Sequence, residues 1–241
     1  MNDKGLKVEE LIEIIRTIDQ APASWECFKK VGYLNPEKKE LYKEKYDYFV
    51  YTNGKKNLNG KNQDDDNRIK GKALEDLVSI LFDATGEYFN IYRNIRNGSN
   101  EVDLLVCYTQ KAKALSLILD KKYSDIICEC KNYEGSVKVT YVGKFYSLVQ
   151  SANMKIGIIF SYNGFSGESW GGGAGLSKKL FLLKEQEQDK IYILDFNIND
   201  FKSILDGKSL FEILDDKCRG LRLGVDDITK YIVKHPNEDK I

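Results

Sequence analysis

The sequence contains only one histidine, His235, among its 241 residues. This scarcity argues against a site built on histidine general bases or on a histidine-bearing zinc finger, because both need several imidazoles. No stretch approaches the roughly 18 apolar residues that a membrane span requires. The first ten residues, "MNDKGLKVEE", also lack the apolar segment of a signal peptide. We therefore expect a cytoplasmic protein that does not associate with a membrane.

The five cysteines show no framework spacing, and their odd number fits a reducing compartment. Cys107, Cys128 and Cys130 lie in apolar segments, but strand alternation and the lack of a fourth nearby cysteine favour buried thiols over a metal cluster. The glycine-rich "GGGAG" at 171–175 lacks the Gly-Lys-Ser/Thr sequence of a phosphate-binding loop, so nucleotide binding is not expected there.

The charges balance over the whole chain, with 37 basic and 37 acidic residues, but not along it. Residues 28–61 hold nine lysines and four acidic residues, a local excess of five positive charges. Such a segment either contacts a polyanion or forms a solvated surface, and the sequence leaves both readings open. The candidates for contact with nucleic-acid phosphates are lysines from this segment and from the middle of the chain: Lys55, Lys56, Lys61, Lys138 and Lys144.

The pattern of apolar residues predicts three regions along the chain. Residues 66–196 form the predicted core, in the order helix, three strands, helix, strand. Residues 1–65 form an N-terminal accessory region, in which the aromatic "YDYFVYT" at 46–52 indicates a strand. The polar segment 53–67, with two Asn-Gly pairs, predicts a linker to the core. Residues 197–241 are predicted to form a C-terminal helical extension.

An acid and a lysine stand two residues apart in "IICECKNYEG" (126–135), where an apolar strand ends. Side chains alternate faces along a strand, so Glu129 and Lys131 lie on the same face. The same spacing occurs at Glu37–Lys39 and Glu238–Lys240, but only in polar surroundings. The simplest interpretation is an ion pair at a strand end, and the alternative is a metal-dependent active site.

A second acid, Asp103, lies at the start of the apolar strand "EVDLLV" (101–106). A charge among apolar neighbours requires a compensating partner. Phosphodiester hydrolysis uses hard divalent cations held by oxygen ligands, and Asp103, Glu129 and the main-chain carbonyl of Cys130 would supply three. Lys131 would orient or deprotonate the attacking water and stabilise the phosphorane. Glu75, on the first core helix, is the candidate ligand for a second metal.

A competing motif, Asp120-Lys121-Lys122, has the same acid–x–lysine spacing after the apolar "LSLIL". If that run were the end of the strand, the site would shift to Asp120 and Lys122. The segment "ECKNY" is favoured, because a turn and then a helix follow it.

The segments "GKALE", "NEVDLL" and "ECKNY", in that order, resemble the PD-(D/E)XK nucleases, particularly the Mrr-like restriction endonucleases. "SYNGFSGESW" (161–170) resembles the segment that follows the fourth core strand in that family. Val102 stands where the name-giving proline would be, a departure that the family tolerates. The resemblance implies an α/β fold with a restriction-endonuclease-like core. This core is a central mixed β-sheet flanked by helices, in the order α-β-β-β-α-β, with helical additions at both ends.

The resemblance also implies a site and an activity. Asp103, Glu129 and Lys131 occupy the family's catalytic positions, Glu75 its helical acid, and Gln150 a polar position on the helix after the lysine strand. The implied activity is Mg²⁺-dependent endonucleolytic cleavage of DNA, with Mn²⁺ as a substitute and a 5′-phosphate on the product. A role in restriction or defence follows from the family analogy.

Several alternatives remain open at the level of the sequence. The same residues would serve a nuclease that acts on RNA or on branched DNA. A non-catalytic module that binds nucleic acid or a partner is a second alternative, although the intact acid–lysine set argues against it. The chain is also compatible with a homodimer and with one subunit of a larger system.

Overall fold

The computed structural model describes residues 12–13, 16, 32–55, 63–97, 100–114, 120–132 and 134–225. The chain divides into two compact units, residues 1–31 and residues 32–241, and the fold described below is that of the second unit. None of the described helices has the length and the hydropathy that a membrane crossing needs.

A five-stranded mixed sheet forms the centre of the second unit. Its strands lie side by side in chain order: β1 (Phe89–Asn97), β2 (Asn100–Tyr108), β3 (Asp125–Lys131), β4 (Ile156–Ser161) and β5 (Tyr192–Phe196). The pairs β1–β2 and β2–β3 are antiparallel, whereas β3–β4 and β4–β5 are parallel. Each parallel pair is joined through a helix, as parallel pairing requires. The predicted mixed sheet is confirmed.

The helices of the described part flank this sheet. They are α1 (Pro36–Gly54), α2 (Gln63–Ala84), α3 (Gln110–Ala114), α4 (Val139–Ser151), α5 (Gly172–Leu182), α6 (Ile198–Leu205) and α7 (Leu210–Leu223). The order α2-β1-β2-β3-α4-β4 is the predicted core order, with α3 and a 3₁₀ turn (Lys121–Tyr123) added before β3. Helices α6 and α7 form the described part of the predicted C-terminal extension, and each begins with a capping box.

One face of the sheet is covered by α4. Every residue of β4 is buried, as expected for a strand that is covered on both faces. Ile127 and Ile159 project from neighbouring strands into a cluster with Phe145 and Val149 of α4. Close approach of the helix depends on Gly157, since a Cβ at that position would lie 2.6 Å from side-chain atoms of both Phe145 and Val149.

The opposite face of the sheet is covered by α2. Phe160 alternates with Ile159 along β4, so it points to this second face. There the ring of Phe82, from α2, packs edge-on against Phe160 and Phe89, with ring centroids 6.1 and 5.2 Å apart. Most of the apolar side chains of α2, including Leu74 and Leu77, are fully buried.

The strand predicted for residues 46–52 is wrong, because these residues belong to α1. Asn35 caps the helix by accepting a hydrogen bond from the main-chain N–H of Glu37, and Pro36 begins it. Tyr42 and Phe49, two turns apart, are buried, and the Tyr42 hydroxyl donates to the carbonyl of Phe201 at 3.1 Å. Tertiary packing on one helical stripe has thus overridden the strand propensity of the aromatic residues.

The polar segment between the accessory region and the core is shorter than predicted. Residues 53–54 end α1 and residues 63–67 begin α2, while residues 56–62 lie outside the described part. Helix α1 packs along α2, and Asn35 donates its main-chain N–H to the carbonyl of Ala84 at 2.7 Å. Residues 36–54 therefore lie in the same compact unit as the sheet. The boundary between the accessory region and the core at residue 65 stays a prediction.

Adding one methyl group at Gly157 should destabilise the protein. The Cβ of Gly157→Ala would push against two buried side chains of α4, so we expect the free energy of unfolding to fall by about 1–3 kcal/mol. Gly71→Ala is the matched control. Gly71 lies inside α2 with nothing within 4 Å of an added Cβ, so this change should stabilise by about 0.5–1 kcal/mol. Urea unfolding of both variants measures the difference, and equal effects would contradict the packing described here.

Candidate active site

The strands β2 and β3 part at the edge where the predicted acids lie. The ladder between them begins with the pair Cys107 and Asp125 and ends with the pair Leu104 and Cys128. One step further, the Asp103 carboxylate accepts a hydrogen bond from the main-chain N–H of Cys130, with 2.7 Å between Oδ2 and the nitrogen. A side chain here takes the place of the main-chain acceptor that a longer ladder would supply. Asp103 is thereby fixed at the end of β3.

Glu129 and Lys131 lie on one face of β3, as the alternation predicts. The Lys131 ammonium forms an ion pair with Oε1 of Glu129, and the two side chains are only 27% and 15% exposed. Burial lowers the pKa of Lys131, but the hydrogen bond to Glu129 and the charges of Glu129 and Asp103 outweigh it, so the pKa is raised. Lys131 is therefore a cation in this state of the site.

Asp103 and Glu129 lie next to each other across the two strands. Leu104 pairs with Cys128 in the antiparallel ladder. Asp103 and Glu129 are the next residues along the two strands at this end, so both carboxylates project from the same face. The charge of Asp103 also contributes to the raised pKa of Lys131, as expected for a carboxylate close to the ion pair. The structure thus brings together the three residues that the sequence predicted as the centre of the site.

Glu75 reaches the same edge of the sheet from α2. Its pKa is raised, mainly by burial; Lys72 lowers it and the charge of Asp103 raises it. Cys128 is buried and Cys130 is half-buried, and desolvation followed by the charge of Asp103 raises the pKa of both thiols well above the ordinary value. These cysteines are accordingly neutral thiols, without the low pKa of a nucleophile.

Asn132 is a buried residue of the site that the sequence analysis missed. Its side-chain amide donates to the main-chain carbonyl of Lys70 at 2.8 Å, which ties the end of β3 to the helix that carries Glu75. The Oδ1 atom of Asn132 is buried without a hydrogen-bond partner. Its only signal in the sequence is its position directly after Lys131.

A pocket of about 260 Å³ opens beside the ion pair. It is lined by residues of β3, α4 and β4: Glu129, Lys131, Tyr141, Lys144, Phe145, Leu148 and Ile159. Lys144, predicted as a phosphate contact, therefore lies at the site, whereas Tyr141 was not singled out from the sequence. Lys138 is exposed just before α4. Gln150 is exposed near the other end of α4 and does not line the pocket.

The remaining lysine candidates do not lie in this pocket. Lys55 follows α1, where its ammonium contacts the hydroxyl of Tyr51 at 2.9 Å and lies 4.4 Å from the ring centroid. Lys56 and Lys61 lie outside the described residues, as does His235.

The competing motif occupies the opposite end of β3. Asp120 caps the 3₁₀ turn by accepting a hydrogen bond from the main-chain N–H of Lys122. The Lys122 ammonium contacts Asp120 at 2.7 Å and Asp215 of α7 at 3.1 Å, and the Tyr123 hydroxyl donates to Asp215 at 2.6 Å. This cluster joins the start of β3 to α7. It is a structural ion pair at a turn.

The donor set at the site suits a hard cation. Among the described residues, no three His, Cys, Asp or Glu side chains are arranged to hold a metal by themselves. The oxygen donors that meet at the end of β3 are the carboxylates of Asp103 and Glu129 and the main-chain carbonyls. Oxygen ligands of this kind, completed by water, are those that Mg²⁺ prefers.

A mixed sheet in the order α-β-β-β-α-β, with two acids and a lysine at the parting ends of two strands, defines the PD-(D/E)XK class of nucleases. The family model described as restriction endonuclease, for the Mrr-type catalytic domain, matches residues 67–188. The chain belongs to this family, and it is a nuclease of the restriction-endonuclease type. No curated protein and no solved structure matches the chain significantly.

Asp120→Asn should lower stability in a pH-dependent way. Burial raises the pKa of Asp120, but the hydrogen bonds and charge of Lys122 outweigh it, so the pKa is lowered. A lowered pKa stabilises the fold above the ordinary carboxyl pKa, and this contribution is lost as the pH falls through the folded-state pKa. The variant should therefore melt below wild type at pH 7, with the gap closing in acid below about pH 4.

The matched control is Asp47→Asn, which removes an exposed carboxylate paired with Lys43 on α1. Exposed pairs of this kind contribute little, so its melting temperature should follow wild type at every pH. Circular dichroism melts between pH 3 and 8 make the comparison. A gap for Asp120→Asn that does not change with pH would contradict the ion-pair role.

Proposed function

We propose that the chain is a Mg²⁺-dependent endonuclease that hydrolyses DNA phosphodiester bonds and acts in the restriction of foreign DNA. The observation that carries the proposal is the meeting of Asp103 with the Glu129–Lys131 pair where β2 and β3 part. A merely structural ion pair would not require a second carboxylate on the same face, since two adjacent acids repel each other.

The residues that would hold the cation are Asp103, Glu129 and the main-chain carbonyl of Cys130. In a strand, the N–H and C=O of one residue point to the same side, and the N–H of Cys130 points to Asp103. Its carbonyl therefore faces the gap between the strands. When bound, Mg²⁺ supplies a Lewis acid and lowers the pKa of a water ligand. Mn²⁺ has the same ligand preference, and Glu75 is the proposed acid for a second metal.

Lys131 acts as a hydrogen-bond donor in this proposal. Its raised pKa keeps it protonated at neutral pH, which favours the orientation of water and the stabilisation of phosphorane charge over the removal of a proton. Glu129 holds the ammonium in place through the ion pair. Attack by water on the phosphorus with cleavage of the bond to the 3′-oxygen would leave a 5′-phosphate, and the departing 3′-oxygen would take up a proton to become a 3′-hydroxyl.

The substrate class and the biological setting belong to the same proposal. RNA or branched DNA would use the same residues, so cleavage of duplex, single-stranded and junction substrates has to be compared. A cytoplasmic location, a homodimer and a partner subunit are compatible with the proposal and are not required by it.

Glu129→Gln should abolish cleavage without unfolding the protein. The change removes charge from a site that must hold a divalent cation, so we expect plasmid cleavage in Mg²⁺ to fall by about a hundredfold or more. Asp103→Asn and Lys131→Ala should do the same. Melting temperatures of the two acid variants, Glu129→Gln and Asp103→Asn, should stay near wild type, because fewer adjacent acids relieve repulsion when no metal is bound.

Asp120→Asn is the matched control for activity, since it changes an acid in the competing motif. It should cleave like wild type at a temperature below its melting point. Loss of cleavage in Asp120→Asn together with retention in Glu129→Gln would overturn the assignment. If Glu129→Gln melts at a lower temperature but still cleaves DNA, the Glu129–Lys131 pair has only a structural role.

Neutralising lysines that contact phosphate should flatten the salt dependence of DNA binding. Each lost contact lowers the slope of log K against log salt by about one unit. The triple change of Lys55, Lys56 and Lys61 to Gln tests the basic segment, with Lys179→Gln on α5 as a control. Fluorescence anisotropy at several salt concentrations gives the slopes. An unchanged slope in the triple variant would assign these lysines to ordinary solvated surface.

A further inference from the structure

The pocket between β3 and α4 has an apolar interior beside a charged pair. The inner wall is formed by half-buried Leu148 of α4 together with Phe145 and Ile159, which are buried in the core, and Glu129 and Lys131 form one side. Leu148 and the partly exposed Tyr141 are the apolar groups of the pocket that water reaches. Phosphodiester hydrolysis needs polar and charged groups around the phosphate, and it does not need an apolar wall. Apolar surface that faces water is unfavourable. The wall therefore points to an uncharged group of the substrate.

The size of the pocket limits what that group is. Its volume of about 260 Å³ lies just below the roughly 300–1,000 Å³ of sites that enclose drug-sized ligands. A space of this size accommodates one nucleoside. A base inside a duplex cannot reach a pocket of this kind unless it leaves the stack.

Two side chains at the mouth suit an unstacked nucleotide. Tyr141 and Lys144 are three residues apart on α4 and so lie on the same side of the helix. Tyr141 is 40% exposed and offers an aromatic face, on which bases stack with little regard to sequence. Lys144, also exposed, offers a cation for a phosphate. Together with Lys131 it flanks Glu129, whose charge would otherwise repel the substrate.

We propose that this pocket takes one unstacked nucleoside next to the phosphate that is cut, with Tyr141 stacking on its base and Lys144 contacting the adjoining phosphate. The substrate class is then DNA whose nucleotide at the cleavage position leaves the stack, which costs least where that nucleotide is unpaired. This inference rests on the proposed nuclease function. Tyr141 and Lys144 are substrate-positioning residues, which act on binding and not on the chemical step.

Binding is measured in an Asp103→Asn background, which does not cut DNA and leaves every residue of the pocket in place. The probes are two fluorescent duplexes, one fully paired and one with a single bulged 2-aminopurine. We expect tighter binding of the bulged duplex and quenching of the 2-aminopurine by Tyr141. Tyr141→Ala should weaken bulge binding by about five- to a hundredfold and abolish the quenching, with paired duplex unchanged.

Tyr141→Phe keeps the ring and should retain bulge binding. Lys144→Gln should lower the salt slope by about one unit, whereas Lys179→Gln, on α5, should not. Equal binding of the two duplexes, no effect of Tyr141→Ala, or no binding of either duplex would each overturn the inference. Failure of wild type to cut any substrate in Mg²⁺ or Mn²⁺ would instead overturn the proposed function, because the binding arm does not depend on cleavage.

Discussion

The hydrogen bond from the main-chain N–H of Cys130 to the Asp103 carboxylate is the interaction on which the site depends. It lies where the ladder between β2 and β3 ends, so the Asp103 side chain accepts the hydrogen bond that a main-chain carbonyl would accept in a longer ladder. The apolar residues around Asp103 would make an unpartnered carboxylate costly. The N–H supplies that partner and fixes the carboxylate beside Glu129, and the ion pair then holds Lys131 over the same face.

This arrangement places acids close enough together that their repulsion opposes folding. Burial, and then the charge of Asp103, raises the pKa of Glu75 against the opposing charge of Lys72. Lys131 pairs with Glu129 beside Asp103. Repulsion of this kind is typical of a site whose charge is balanced by something that binds. The cluster at the other end of β3 differs because its acids have partners within the protein. Lys122 contacts both Asp120 and Asp215, and the Tyr123 hydroxyl donates to Asp215.

The core and the centre of the site could be predicted because both follow from short-range rules. Alternation along β3 placed Glu129 and Lys131 together, and a charge within an apolar strand singled out Asp103. The strand predicted at 46–52 is wrong because that segment is decided by the burial of Tyr42 and Phe49 against α6 and against Tyr162, just after β4. No local pattern reveals these contacts. Tyr141 and Asn132 were missed for a related reason. Tyr141 lines the pocket beside residues of β3, and Asn132 donates a hydrogen bond to α2. Neither contact is visible in the local sequence.

The glycine on β4 also governs the shape of the pocket. Phe145, whose ring lies where a side chain at position 157 would be, is one of the pocket's apolar walls. The distance between α4 and the sheet, and with it the depth of the pocket, is thus set by the absence of a side chain at Gly157. Relatives with a larger residue there would need a smaller one at the position of Phe145, or would have a shallower pocket. Substrate selection in such proteins would then vary through a residue that never touches the substrate.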